Sequence, residues 1–271
     1  MLLIPGTGDS RTVTNTGSVG SVVPGAAVPE GASVNVYGAT TEILSAANNT
    51  KESWGIHILH TAATSPAAAL AGGTLDILVG TDTLVSSLIV GGSFACSTRS
   101  YFFPVRIPAG VALSARFASE MAHNTADAEV AIHLHSGGTP PFRVGSKVTT
   151  YGTKTNDARG QIVTVTAGGG AAASTTLAAS SAEDHFYWLP GFQAQNDSAV
   201  TPVSAVNVGI GIGSQRIGTW WFSKTTEERQ SGPWPDLGVF KVAPAGSQVN
   251  MLCSNGGAND AQYGGLIYAV S

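Results

Sequence analysis

The chain has 271 residues, 17 acidic against 13 basic side chains, and only 11% charged residues; an ordinary globular domain carries ~25%. A net charge of −4 with no basic cluster excludes nucleic acid as a default partner. With 43% hydrophobic residues, 34 Gly and 13 Pro, the chain can bury a core and should be rich in turns.

The opening Met1-Leu2-Leu3-Ile4-Pro5 has no positive flank, and its apolar run ends at Pro5, so it does not read as a signal peptide. No segment approaches the ~20 apolar residues of a bilayer span. The expectation is folding in a cytoplasm, with no membrane partner. Residues 1–27 are rich in Gly, Ser, Thr and Val and nearly free of charge, and read as an extended N-terminal arm that orders on a partner.

Beyond the arm, short alternating runs recur between Gly, Pro, Asn and Asp. The pattern predicts strands over 33–37, 54–60, 74–79, 86–90, 101–107, 111–118 and 129–135. After Gly137-Gly138-Thr139-Pro140-Pro141 it predicts more over 146–151, 161–166, 185–189, 205–212, 217–222, 237–242, 248–253 and 264–270. Leu113, Phe117 and Met121 recur at helical spacing. The matching stretch, Ser247 to Ser254, alternates like a strand and decides for strand in both places.

The two halves look like copies. Pro108-Ala109-Gly110 through Ser136 matches Pro244-Ala245-Gly246 through Ser271, each with an Asn/Asp turn before a final apolar strand. Trp54 is set opposite Trp188, and Leu75-Asp76-Ile77 opposite Val206-Asn207-Val208. Gly31, Val34, Tyr37 and Gly38 are set opposite Gly145, Val148, Tyr151 and Gly152. The shorter spacing of this fourth match implies roughly twenty extra residues in the second copy, placed within 157–174. The fold class is therefore all-β: two tandem β-sandwich or jelly-roll-like domains from an internal duplication, with the arm at 1–27, repeat one at 28–137 and repeat two at 138–271.

His133 and His135 are two apart and share a strand face, which is the spacing of a metal pair. It resembles the His-x-His of cupins, but the later Glu and His of that pattern are not recognisable, so a solvent or interface pair is the preferred reading and no cofactor is expected. His57 and His60 point to opposite faces, and His123 and His185 read as structural. Gly209, Gly211 and Gly213 precede a strand and not a helix, which argues against a phosphate loop. Glu227-Glu228 reads as a solvated loop, and no nucleophile elbow occurs, so no enzyme is expected. Cys96 and Cys253 read as buried thiols. Trp220, Trp221 and Trp234 are the candidate contacts for a protein partner or a glycan; Trp220 and Phe222 share one face and Trp221 takes the other.

Five lysines (Lys51, Lys147, Lys154, Lys224, Lys241) are few for guarding the edges of so much sheet. Neighbouring subunits are the economical cover, so homo-oligomers are expected. In this Gly/Ala/Thr/Ser/Val-rich style, with its arm and duplicated sandwiches, the chain resembles structural proteins of tailed-bacteriophage virions. The resemblance rests on style along the full length and on no diagnostic motif. It implies a non-enzymatic role on a virion, with capsid decoration (cement) preferred to neck, tail or fibre, and major capsid or tail subunits as partners.

Overall fold

The computed structural model describes residues 10–13, 25–62, 73–90, 99–119, 127–154, 160–166, 170–194, 204–224, 238–256 and 263–271. The described residues hold no helix. The first nine strands are β1 (Ser10–Val13), β2 (Ala26–Pro29), β3 (Thr41–Leu44), β4 (Ser53–Ala62), β5 (Gly73–Val79), β6 (Asp82–Val90), β7 (Arg99–Phe103), β8 (Leu113–Ser119) and β9 (Asp127–Ser136). The next nine are β10 (Val148–Tyr151), β11 (Gln161–Val163), β12 (Ala173–Ala178), β13 (His185–Ala194), β14 (Ser204–Ile212), β15 (Gln215–Lys224), β16 (Val239–Ala243), β17 (Val249–Asn255) and β18 (Tyr263–Val270).

The first nine form two antiparallel sheets, β1-β9-β4-β7 with β2 also on β9, and β3-β8-β5-β6. The second nine repeat this order strand for strand: β10-β18-β13-β16 with β11 also on β18, and β12-β17-β14-β15. This is jelly-roll connectivity, twice over. The two Pro-Ala-Gly segments are matching turns, with Gly110 at φ +74° and Gly246 at φ +85°, a backbone region that favours glycine. Each turn is clasped by a buried polar side chain. Asn49 donates to the Pro108 and Val111 carbonyls at 2.8 and 2.9 Å, and Ser181 donates to the Pro244 carbonyl at 3.2 Å.

Register corrects three of the sequence matches. Gly55 pairs with His135 and Tyr187 with Val270, so Trp54 corresponds to Phe186 and not to Trp188. Leu75 pairs with Phe117 and Val208 with Cys253, so that match also slips by two residues. The slip keeps each residue on its face, which is why the apolar pattern hid it. The fourth match fails outright. Tyr151 lies in β10, whose counterpart is β1, whereas Tyr37 only bridges Ala118 from a turn segment. Asn35, at φ +60°, breaks the strand predicted over 33–37. The roughly twenty-residue insertion goes with it, since β1 to β9 covers Ser10–Ser136 and β10 to β18 covers nearly the same length, Val148–Val270.

The described part of the expected arm is in the chain's own sheet: Ser10–Val13 pairs with Ile132–His135, and Ala26–Pro29 with Asp127–Val130. The helical spacing of Leu113 and Phe117 resolves as strand β8, while Met121 lies outside the described residues.

One apolar core runs through the first roll and on into the face of the second that carries Tyr187, Leu189, Leu266, Tyr268 and Val270. A second core lies inside the second roll, with Trp188, Phe192, Val206, Val208, Ile267 and Ala269. Strands β18 and β13 at the centre of sheet β10-β18-β13-β16 are therefore buried on both faces, and the sheet covers the open side of the first roll, where β6 and β7 are edge strands.

Candidate functional site

The junction between the rolls is the most elaborate region of the molecule. The Tyr268 ring stands against Tyr101 and Phe103, with centroids 5.7 and 5.9 Å away. Its hydroxyl donates to the Ser87 carbonyl at 2.9 Å and accepts the Ile89 N–H at 3.0 Å. Thr150 Oγ1 donates to the Ser86 carbonyl at 2.8 Å, and Tyr187 Oη to the Phe102 carbonyl at 2.9 Å. Backbone bonds from Arg106 N–H to Gly145 and from Gly145 N–H to Pro104 extend the seam. Ser87 sits at φ +56°, an uncommon conformation for a residue with a side chain. Its N–H donates to Asp76 Oδ1 at 2.9 Å, and Asp76 Oδ2 accepts from Arg116 Nε and Nη2 at 2.9 and 2.7 Å. Asp76 is buried, so this fork holds the kinked stretch of β6 ready for Tyr268.

Beside the seam lies a cleft of about 530 Å³, lined among others by Glu52, Trp54, Arg106, Gly137, Arg143 and Ser146. Arg106 pairs with Glu52 at 2.9 Å. Arg143 lies 4.6 Å from the centre of the Phe186 ring. Trp54 is no open platform: it is buried, and its indole N–H donates to the Gly137 carbonyl at 3.0 Å. The cleft brings two guanidinium groups and one carboxylate together, both arginines already engaged.

Behind Trp54 stand three histidines. His133 and His135 do share a face, with ring centroids 4.8 Å apart. His57 joins them, because β4 pairs with β9 so that His57 lies opposite His133. Its Nδ1 is 2.9 Å from His135 Nε2, one ring's N–H donating to the other's nitrogen. His57 is held neutral, its pKa pushed down to about 3 by burial and by the two neighbouring imidazoles. His135 is pushed down to about 4, by burial and by His133. His133 is lowered by burial. Among the described residues no group of three or more His, Cys, Asp or Glu side chains is arranged to hold a metal ion. His60, on the other face of β4 as expected, is buried and stacks on Tyr101 at 5.6 Å. His185 Nε2 is 2.7 Å from Tyr151 Oη, and burial lowers the pKa of His185. The sequence missed His57 as a member of the cluster because only cross-strand register brings it there.

The aromatic candidates separate. Phe222 is buried, Trp220 packs against the second core, and Trp221 is 63% exposed. Trp221 stands on edge strand β15, near the free edge β16, where Phe240 and Val242 are also exposed. Gly209 and Gly211 lie within strand β14, and the Arg216 guanidinium occupies the space over Gly209 that a side chain would need. Cys253 is buried in the second core, with its thiol pushed up to about 12 by burial. Trp234, Cys96, His123 and Glu227-Glu228 lie outside the described residues.

These features define an all-β protein of two jelly rolls, joined through a shared core, with one rim left open. No protein-family model matches the sequence, and no curated protein matches it. Among solved structures the chain is similar to PNGF-II at 8% identity and TM-score 0.43, over 97% of this chain and 65% of that one. It thus spans about two thirds of the length of PNGF-II. It is also similar to the major capsid protein P2 from bacteriophage PM2, at 9% identity and TM-score 0.39 over 97% of both chains. The STIV MCP is similar at 10% identity and TM-score 0.37, over 97% of this chain and 96% of that one.

Proposed function

We propose that this chain is a non-enzymatic structural subunit of a virus particle, with decoration of a capsid surface as its place. The observation that carries the reading is the open rim of the second roll. Trp221 is 63% exposed, Val242 62% and Phe240 44%, on two adjacent sheet edges. Apolar edges of this kind on a chain so poor in charge call for a protein neighbour. The roll-to-roll seam is built from packed aromatics and satisfied hydrogen bonds, which suits a rigid building block. The repeated strand order also supports an internal duplication, dividing the chain near Gly137-Gly138. Attachment through residues 1–27 is not the preferred route, because Ser10–Val13 is already paired within the chain's own sheet. A neck, tail or fibre subunit that binds a glycan through Trp221 is the second reading, favoured by the exposure of that indole.

The test is mass spectrometry and antibody-gold electron microscopy of gradient-purified particles made by the genome that encodes the chain. The chain should co-purify in many copies and label the outer shell. Label confined to one vertex or to a tail would favour the second reading. Absence from the particles would overturn both.

A further inference from the structure

We propose that the open rim of the second roll docks a second copy of this chain head to tail, repeating between molecules the junction that joins the rolls within one. The proposal rests on the structural reading above and names the partner of its rim.

Ladder register supplies the correspondence. Inward residues Leu113, Ala115 and Phe117 of β8 match Val249, Met251 and Cys253 of β17, all buried. Ala118 then matches Ser254. Ala118 pairs with Thr74, which pairs with Ile89. Ser254 pairs with Asn207, which pairs with Trp221. Trp221 therefore occupies in the second roll the place that Ile89 occupies in the first. Ile89 is fully buried under the neighbouring roll and gives its N–H to Tyr268. Trp221 is 63% exposed, and on the neighbouring edge Val242 is exposed too, while the half-open Phe240 stacks on Phe142 at 5.1 Å.

The surface that covers Ile89 also has a counterpart. Tyr268 matches His133, and Leu189 matches His57, so sheet β10-β18-β13-β16 corresponds to sheet β1-β9-β4-β7 of the first roll. On that face Phe102 is already covered by Phe142 and Tyr187. His133 and Leu59 are only half-buried. The chain thus carries an exposed indole where the first roll has a covered Ile89, and the counterpart of that cover on its opposite roll. Rim to face is a heterologous contact, which closes into a ring or runs on as a filament. A large exposed indole at its centre is the residue type that anchors such interfaces.

The test uses the full chain in solution, by sedimentation velocity and native mass spectrometry over a concentration series. The wild type should associate beyond a dimer. Trp221→Asp should weaken association by about 100-fold with unchanged circular dichroism and melting temperature, because Trp221 contributes to neither core. Leu59→Arg should do the same from the opposite surface. Mixing the two variants is the decisive step. Each retains the surface the other lacks, so the mixture should form a heterodimer and nothing larger. A wild type that stays monomeric at its solubility limit would overturn the proposal. So would Trp221→Asp oligomers like the wild type's, a Leu59→Arg variant that still dimerises alone, the mark of rim-to-rim pairing, or a mixture that stays monomeric, the mark of a different occupant. None of these results depends on whether the chain is found on particles, so this proposal and the virion reading fail separately.

Discussion

Replacing Tyr268 by Phe removes one oxygen from the seam between the rolls and leaves the ring in place. The hydroxyl accepts from Ile89 N–H at 3.0 Å and donates to the Ser87 carbonyl at 2.9 Å. Ile89 and Tyr268 are both fully buried, so no water replaces the bond to the Ile89 N–H, whereas Ser87 is half-buried. A fully buried group deprived of its partner costs about 1–3 kcal/mol, and with the smaller cost at the Ser87 carbonyl the loss is about 2–4 kcal/mol. For a chain of this size that corresponds to a fall of about 5–10 °C in melting temperature. The measurement is thermal unfolding followed by circular dichroism and by tryptophan fluorescence. The two probes should move together, because Tyr268 belongs to a core that both rolls share. A shift under about 2 °C would show that the hydroxyl is not a tie between the rolls. Two separate wild-type transitions would refute the shared core itself.

Three further outcomes are expected. Stability should fall as pH drops from 7 to 5, because the folded protein holds His57 and His135 neutral with pKa values near 3 and 4 while the unfolded chain takes up protons near 6.5. At pH 5 His57 alone accounts for about 2 kcal/mol, and urea titrations of His57→Gln should show a shallower slope across this window; an unchanged slope would remove the cluster as its cause. Asp76→Ala should cost about 3 kcal/mol in urea unfolding, since it strands the Arg116 guanidinium and the Ser87 N–H, whereas Glu52→Ala, whose partner Arg106 is mostly exposed, should cost under about 1 kcal/mol. In a Cys96→Ser background, Cys253 should resist thiol reagents at pH 8 until denaturant is added, since burial holds its thiol protonated; rapid labelling of the native protein would contradict its place in the second core.

Strand identity was legible for the longer strands with one face buried, but not for β2, whose buried Ala26 and Val28 lie at the boundary given to the arm, nor for β3. The alternation of Leu113, Ala115 and Phe117 overrode a helical spacing because the corresponding Val249, Met251 and Cys253 alternate too. Register was not legible. A slip of two residues leaves the apolar pattern intact, so Trp54 matched Trp188 in sequence while the ladder sets it against Phe186. The same blindness hid His57 from His133 and His135. That Trp221 faces away from Trp220 and Phe222 was legible from parity, but which of the two faces is exposed was not. That its counterpart Ile89 lies covered could not be read, because the cover comes from strands far along the chain.

Strand β18 links the two cores in a way that bears on synthesis. Leu266, Tyr268 and Val270 enter one, while Ile267 and Ala269 enter the other. It follows every other strand described, so a nascent chain cannot finish either barrel-like half before this segment leaves the ribosome. Until then both unfinished interiors stay wet and sticky, and a holding chaperone has its longest task here. A stop codon just upstream of Tyr263 should therefore yield insoluble material from both halves, and not a healthy first half with a ragged tail.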